Sequence, residues 1–291
     1  MAGRFAPSPS GPLHFGSLIA AVGSYLIAKS RNTQWLVRIE DIDPPREVQG
    51  ASDIILRQLE AFGLHWDSSV LYQSQRLDRY NEIIEELKSR DLVYACNCTR
   101  KKIKARNGNG YYPNICAAKN LSFNGDVAIR LRHGHDDYHF VDKIQGSCQF
   151  DDSLYNEDFT IRRKDGLIAY QLAVVADDIE QGIDHVVRGC DLLDSTPRQL
   201  RLYEVLSAKA PDWYHLPLAI NPDGNKLSKQ NHAPAIDSQQ ASKLLCHALE
   251  FLGQPVALEL RQELPVAIMD YALSQFRLDQ IPASQQILYL D

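Results

Sequence analysis

The chain has 291 residues, 44% of them hydrophobic and 23% charged, with a net charge of −6. These values describe an ordinary globular protein. They exclude a low-complexity or disordered chain and a globally basic nucleic-acid binder. No run of 18 apolar residues is present, so a membrane-spanning helix is not expected, and the N-terminus lacks the apolar stretch of a signal peptide. The expectation is a cytoplasmic protein that acts as a monomer, with no membrane partner.

Arg4-Phe5-Ala6 reads as a short strand. Pro7-Ser8-Pro9-Ser10-Gly11-Pro12 is too rich in proline for regular structure. Leu18, Val22, Tyr25 and Leu26 then recur at helical spacing. Trp35–Ile39 reads as a second strand, with the acidic cluster Glu40-Asp41-Ile42-Asp43 at its carboxyl end. Ile54, Ile55, Gln58, Leu59 and Phe62 mark a second amphipathic helix, and Tyr80, Ile83, Ile84 and Leu87 a third. From about Cys96 to Phe159 the chain is rich in Asn, Gly and Asp, with short strand candidates such as Val127–Arg132. The α/β pattern resumes with Ala173–Ala176 and His185–Arg188. Ser195-Thr196-Pro197 starts a helix with proline in its first turn. Helices are expected around Ala241–Leu252 and Val266–Phe276.

Alternating strands and helices predict an α/β fold with a Rossmann-type parallel sheet. The expected organisation is a first half of the core over 1–95, an inserted subdomain over 96–159, a second half over 160–232, and a short helical segment over 233–291. Ligands of such sheets bind at the carboxyl ends of the strands, where the 8–17 loop and Glu40 lie.

That loop carries the strongest local signal. Gly11 and Gly16 allow close backbone approach to a ligand. A helix beginning near Ser17 would point its positive end at phosphate, and His14 would donate to it. A proline-rich loop with one satisfied histidine is the plain alternative.

The segment His14-Phe15-Gly16-Ser17 resembles the first signature of class I aminoacyl-tRNA synthetases, and Arg4–Gly11 resembles the glutamyl and glutaminyl branch. Lys226-Leu227-Ser228-Lys229-Gln230 resembles the second signature of that class and follows the turn-rich Asn221–Asn225. Tyr170–Asp178, His185–Asp191 and Arg38–Asp41 resemble segments that hold the amino acid. The resemblance implies an ATP site at Gly11, His14, Gly16, Lys226, Ser228 and Lys229, with His14 and Lys229 stabilising charge while magnesium pyrophosphate leaves. It also implies a glutamate site. Arg4 and Arg188 would serve the carboxylates, with Arg4 on the side chain, Tyr170 would offer its hydroxyl, and Glu40 with Ser8 would receive the ammonium group.

Two departures matter. Cys190 stands where the branch carries a glutamate, and only residues 230–291 follow Lys229, too few for the usual anticodon-binding region. The pattern resembles the short paralogues of glutamyl-tRNA synthetase, and that resemblance implies activation of glutamate without tRNA and its transfer to the queuosine base of tRNA(Asp). A truncated glutamyl-tRNA synthetase charging the 3′ end of tRNA(Glu), and a non-catalytic tRNA-binding paralogue, are the competing readings.

Cys96, Cys98 and Cys116 lie within one loop-rich stretch and suit structural zinc, one ion per chain; free reduced thiols are the alternative. The family resemblance offers Tyr112 as the fourth ligand, while water or another side chain stays open. Basic clusters at Arg100–Arg106, Arg162–Lys164 and Arg198 with Arg201 are candidate tRNA contacts or solvated faces.

Overall fold

A computed structural model describes residues 1–107, 112–134, 138–150, 157–227 and 233–289. Strand β1 (Ala2–Phe5) pairs in parallel with β2 (Gln34–Ile39), and β2 with β3 (Leu71–Tyr72). On the other side of β1 lies β9 (His185–Gly189), tied to it by a parallel bridge between Ala2 and Ile183 and by the Asp184 N–H donating to the Ala2 carbonyl at 3.1 Å. Strand β10 (Asp212–Leu216) then pairs in parallel with β9. The parallel order is therefore β3-β2-β1-β9-β10. The chain winds outward from β1 in one direction, then returns to build the other half, so the winding reverses between β1 and β9. In doubly wound sheets the ligand crevice lies at such a reversal.

Burial along the strands alternates between two cores, as the pleat requires when both faces are covered. Phe5, Trp35, Val37, Ile39, Val187 and Tyr214 pack in one core with α1 (Phe15–Ser30), α2 (Ala51–Ala61), α7 (Ala241–Phe251) and α8 (Pro265–Ser274). Leu36, Val186 and Trp213 pack in the other with α3 (Leu77–Ser89), α5 (Tyr170–Glu180) and α6 (Thr196–Val205). The apolar run Ala173–Ala176 lies inside α5. Helix α1 packs closely on the sheet: a Cβ on Gly23 would stand 2.6 Å from a methyl of Leu216.

The stretch between the two halves does two different things. Strand β4 (Val93–Cys96) pairs antiparallel with β5 (Ala128–Leu131), which pairs with β8 (Phe159–Arg162). Hairpin β6 (Tyr138–Asp142) and β7 (Gly146–Phe150) instead joins the main sheet, β6 lying beside β10 through Asp142 and Trp213. Helix α4 (Arg100–Asn107) carries the first basic cluster.

At the carboxyl end of the chain, β12 (Gln286–Leu288) pairs with β11 (Leu218–Ile220), a strand the amino-acid pattern did not announce. Tyr289 follows it and stacks on Phe15 at 4.2 Å between ring centroids. Among the described residues no helix is long and apolar enough to cross a membrane.

Candidate active site

A cavity of about 710 Å³ opens at the carboxyl ends of β1, β2 and β9. Arg4, Ser8, His14, Gly16, Glu40, Tyr170, Arg188 and Lys226 all line it, so most of the expected site residues share one space. Gly11 sits in the same loop with φ +129°, a conformation that favours glycine, but does not line the cavity. Ser228 and Lys229 lie outside the described residues.

One end of the cavity is built at the N-terminus of α1. His14 is the N-cap, and its Nδ1 accepts from the Ser17 N–H at 3.2 Å. With Nδ1 as acceptor, the neutral ring carries its proton on Nε2 and donates from there. The second signature approaches from the opposite side. After the turn at Asn221–Asn225, Lys226 bridges to Ile220, and the Leu227 N–H donates to the Ala219 carbonyl at 2.8 Å. A Cβ on Gly16 would stand 2.8 Å from the Leu227 carbonyl oxygen, so the two signatures touch only because residue 16 is glycine. The Lys226 ammonium pairs with Asp191 at the end of β9.

The other end is a buried ionic cluster. Arg4 donates through Nε and Nη2 to the two oxygens of Asp178, at 2.9 and 3.2 Å. Arg38, fully buried, reaches Asp178 at 2.8 Å and Glu40 at 3.4 Å. Asp177 accepts from Gln73, Arg76 and the Tyr80 hydroxyl. Burial pushes the Glu40 carboxyl up to about 7 despite Arg38 and Arg4 nearby. Asp178 is equally buried, but the same two arginines hold it below the usual carboxylate range.

Arg188 is different. It is 5% exposed, and its donors go to His215 Nε2 (3.0 Å), Gln199 Oε1 (2.7 Å), Thr196 Oγ1 (2.9 Å) and the Leu192 carbonyl (3.2 Å). Among the described residues no carboxylate pairs with it. Its guanidinium lies over the Trp213 ring at 4.9 Å from the centroid, so a buried cation held by neutral groups stands at the cavity wall, where an anion could pair with it. Tyr170, at the first residue of α5, lines the same wall. Cys190 is buried against the His215 carbonyl, and burial pushes its thiol up to about 12.

Arg38, Asp178, Gln199, Thr196, His215 and Asp142 belong to the site's framework and were not singled out from the sequence. Arg38 and Asp178 sat inside segments noticed for their neighbours. His215 and Asp142 carry no motif.

Away from this cavity, the Cys96, Cys98 and Cys116 sulfurs all lie within 4.8 Å of one another. Cys98 and Cys116 are 3.6 Å apart. The Tyr112 hydroxyl lies 3.4 Å from Cys96 Sγ and accepts the Cys116 N–H at 2.8 Å, so it points into the cluster. Arg130 covers the Tyr112 ring at 3.5 Å from its centroid. These residues could hold a metal ion.

A doubly wound sheet with the two signature segments touching at its switch point fits a class I aminoacyl-tRNA-synthetase catalytic core. The family described as tRNA synthetases class I (E and Q), catalytic domain, matches residues 1–247. The glutamyl-Q tRNA(Asp) synthetase of Vibrio parahaemolyticus serotype O3:K6 is 50% identical over 98% of this chain and 95% of its own length. That of Escherichia coli K12 is 51% identical over 97% of this chain and 91% of its own. A glutamate tRNA ligase from Elizabethkingia meningosepticum, solved with its amino acid, superposes with a TM-score of 0.83 at 24% identity. That match covers 98% of this chain and 66% of the ligase. The chain belongs to the glutamyl-Q tRNA(Asp) synthetase family and is a ligase of the aminoacyl-tRNA synthetase type.

Proposed function

We propose that the protein activates glutamate with ATP, without tRNA, and transfers the glutamyl group to the queuosine base of tRNA(Asp). The observation that carries the amino-acid assignment is Arg188: a buried cation whose hydrogen-bond acceptors are all neutral, across the cavity from the buried carboxyl of Glu40. Arg188 and Glu40 match the carboxylate and ammonium groups of an amino acid, and Arg4 on the same cavity wall adds a cation for a second carboxylate. Arg4 receives the side-chain carboxylate, Arg188 with Tyr170 the α-carboxylate end, and Glu40 with Ser8 the ammonium group.

In the first step a glutamate α-carboxylate oxygen attacks the α-phosphorus of ATP. The bond to the bridging oxygen breaks, and pyrophosphate leaves with the Mg²⁺ that ATP brings. The protein's part is positioning and charge stabilisation. Gly11, Gly16 and the N-terminus of α1 admit the phosphates, His14 donates from Nε2, and Lys226, Ser228 and Lys229 of the second signature supply further donors and charge. In the second step a hydroxyl of the queuosine base attacks the activated carbonyl, AMP departs, and the hydroxyl proton leaves with it.

The metal cluster is assigned as structural zinc held by three thiolates, with the Tyr112 oxygen as fourth ligand. Sulfurs bound tetrahedrally at about 2.3 Å from zinc lie roughly 3.8 Å apart, close to the 3.6 Å between Cys98 and Cys116. The site joins the end of β4 to the loop after α4, and so holds the basic face of α4 in place for tRNA.

ATP–pyrophosphate exchange with glutamate and no tRNA tests the activation half of this reading. Exchange that needs added tRNA would contradict it. Glutamine should exchange far more slowly at matched subsaturating concentration, because Arg4 can only donate and a carboxamide presents it with an N–H donor and no charge.

A further inference from the structure

Arg188 cannot aim itself. A guanidinium on a strand end has several rotatable bonds, and this one meets no carboxylate among the described residues that would fix it by charge. What fixes it is a relay. Arg188 Nε can only donate, so His215 Nε2 must accept at 3.0 Å. The neutral His215 ring therefore carries its proton on Nδ1 and donates to Asp142 Oδ2 at 2.6 Å. Burial holds the imidazole below its usual range, against the opposing pull of Asp142. Asp142 is fixed in turn by the backbone N–H groups of His215, Ile144 and Gln145. Thr196 Oγ1 and Gln199 Oε1 anchor the fork of the guanidinium from α6.

We propose that His215 and Asp142 are positioning residues for amino-acid binding. They orient Arg188 through a neutral acceptor, so that its charge stays available to the substrate carboxylate. A carboxylate in direct contact would orient the arginine equally well but draw on that charge, as Asp178 draws on part of that of Arg4 through Nε and Nη2. The relay instead places the balancing charge one ring away. It also explains why β6 leaves the intervening stretch to sit beside β10: that pairing brings Asp142 under His215. The inference rests on the reading that Arg188 receives a glutamate carboxylate.

The test uses the full chain in ATP–pyrophosphate exchange, with KM measured separately for glutamate and ATP. His215→Leu removes the acceptor; Asp142 keeps its backbone donors, so the pocket should survive. Glutamate KM should rise roughly ten- to a hundredfold, the scale for losing a hydrogen bond to a charged group. ATP KM should move less than about twofold, and the preference for glutamate over glutamine should stay, because the α-carboxylate that Arg188 receives is common to both. His215→Gln, which can accept from Arg188 and donate to Asp142, should restore most of the loss. Thr196→Val, nearly isosteric, should raise glutamate KM by about three- to tenfold, and it decides the matter if His215→Leu does not fold. Arg188→Gln is the reference. If it raises glutamate KM while the His215 and Thr196 variants do not, or if those variants raise both KM values alike, the positioning role is overturned. If Arg188→Gln itself leaves glutamate KM unmoved, the carboxylate assignment fails and the inference goes with it.

Discussion

Replacing Asp178 by asparagine should be among the most damaging single changes in this protein. The carboxylate is 2% exposed and holds Arg4 through two hydrogen bonds and Arg38 through a contact of 2.8 Å. Arg4 is 3% and Arg38 0% exposed, so neither can turn to water. Asparagine fits the space, but its amide presents a donor to one of the arginine nitrogens and supplies no charge. Breaking a buried pair by removing one partner costs about 3–5 kcal/mol. Arg38 retains Glu40 at 3.4 Å, whereas Asp177 is already taken up by Arg76, Gln73 and Tyr80, which favours the lower half of that range. At roughly 2–4 °C per kcal/mol for a chain of about this size, Tm should fall by about 10 °C. The Arg163–Asp165 pair is the control: it is close, at 2.6 Å, but its side chains are 39% and 48% exposed. Asp165→Asn should cost less than about 1 kcal/mol. Thermal or urea unfolding reads both. An Asp178→Asn protein no less stable than the Asp165→Asn control would refute the reasoning that this ionic cluster depends on its central carboxylate.

Glutamate affinity should improve as pH rises through about 7, because Glu40 must be ionised to receive the ammonium group and burial raises its pKa to about 7. About one pH unit below that value, the ionised fraction drops roughly tenfold and glutamate KM should rise by a similar factor; a flat profile in wild type from pH 6 to 8 would remove Glu40 from this role. In the unliganded protein the same raised pKa gives stability that is present below the ordinary glutamate pKa and is lost as pH rises toward about 7, so Glu40→Gln should flatten that part of the stability profile. His14→Ala and Lys229→Ala should each slow exchange by about a hundredfold or more, the scale for removing a charge-stabilising donor, and near-wild-type rates in both would show that the ATP site is misplaced. Elemental analysis should find one zinc per chain, and Cys98→Ser should lower it while harming transfer to tRNA more than glutamate activation; metal-free protein purified without chelators and fully active in transfer would show the cysteines to be mere neighbours.

The first half of the molecule was largely legible from residue order. Leu18, Val22 and Leu26 keep a helical period, Trp35–Ile39 is an apolar strand broken only by Arg38, and the loop before α1 must leave regular structure at its prolines. What resisted reading was pairing at long range. Nothing local in Tyr138–Asp142 announces that it lies beside β10, since that register is set by Asp142 beneath His215, far along the chain. Strand β12 has three residues, too few to show a period, and is recognisable only through its partner β11. In the site, Arg4 and Arg188 read as equivalent cations. Their difference lies in their surroundings, with Asp178 neutralising one and neutral acceptors holding the other, and only the fold brings those groups together.

Labelled glutamate offered with ATP to three acceptors tests the central claim most directly: tRNA(Asp) carrying queuosine, tRNA(Asp) lacking it, and tRNA(Glu). The account predicts label on the first alone, stable to removal of the 3′-terminal nucleotide. Label on tRNA(Glu), or on tRNA(Asp) without queuosine, would contradict it.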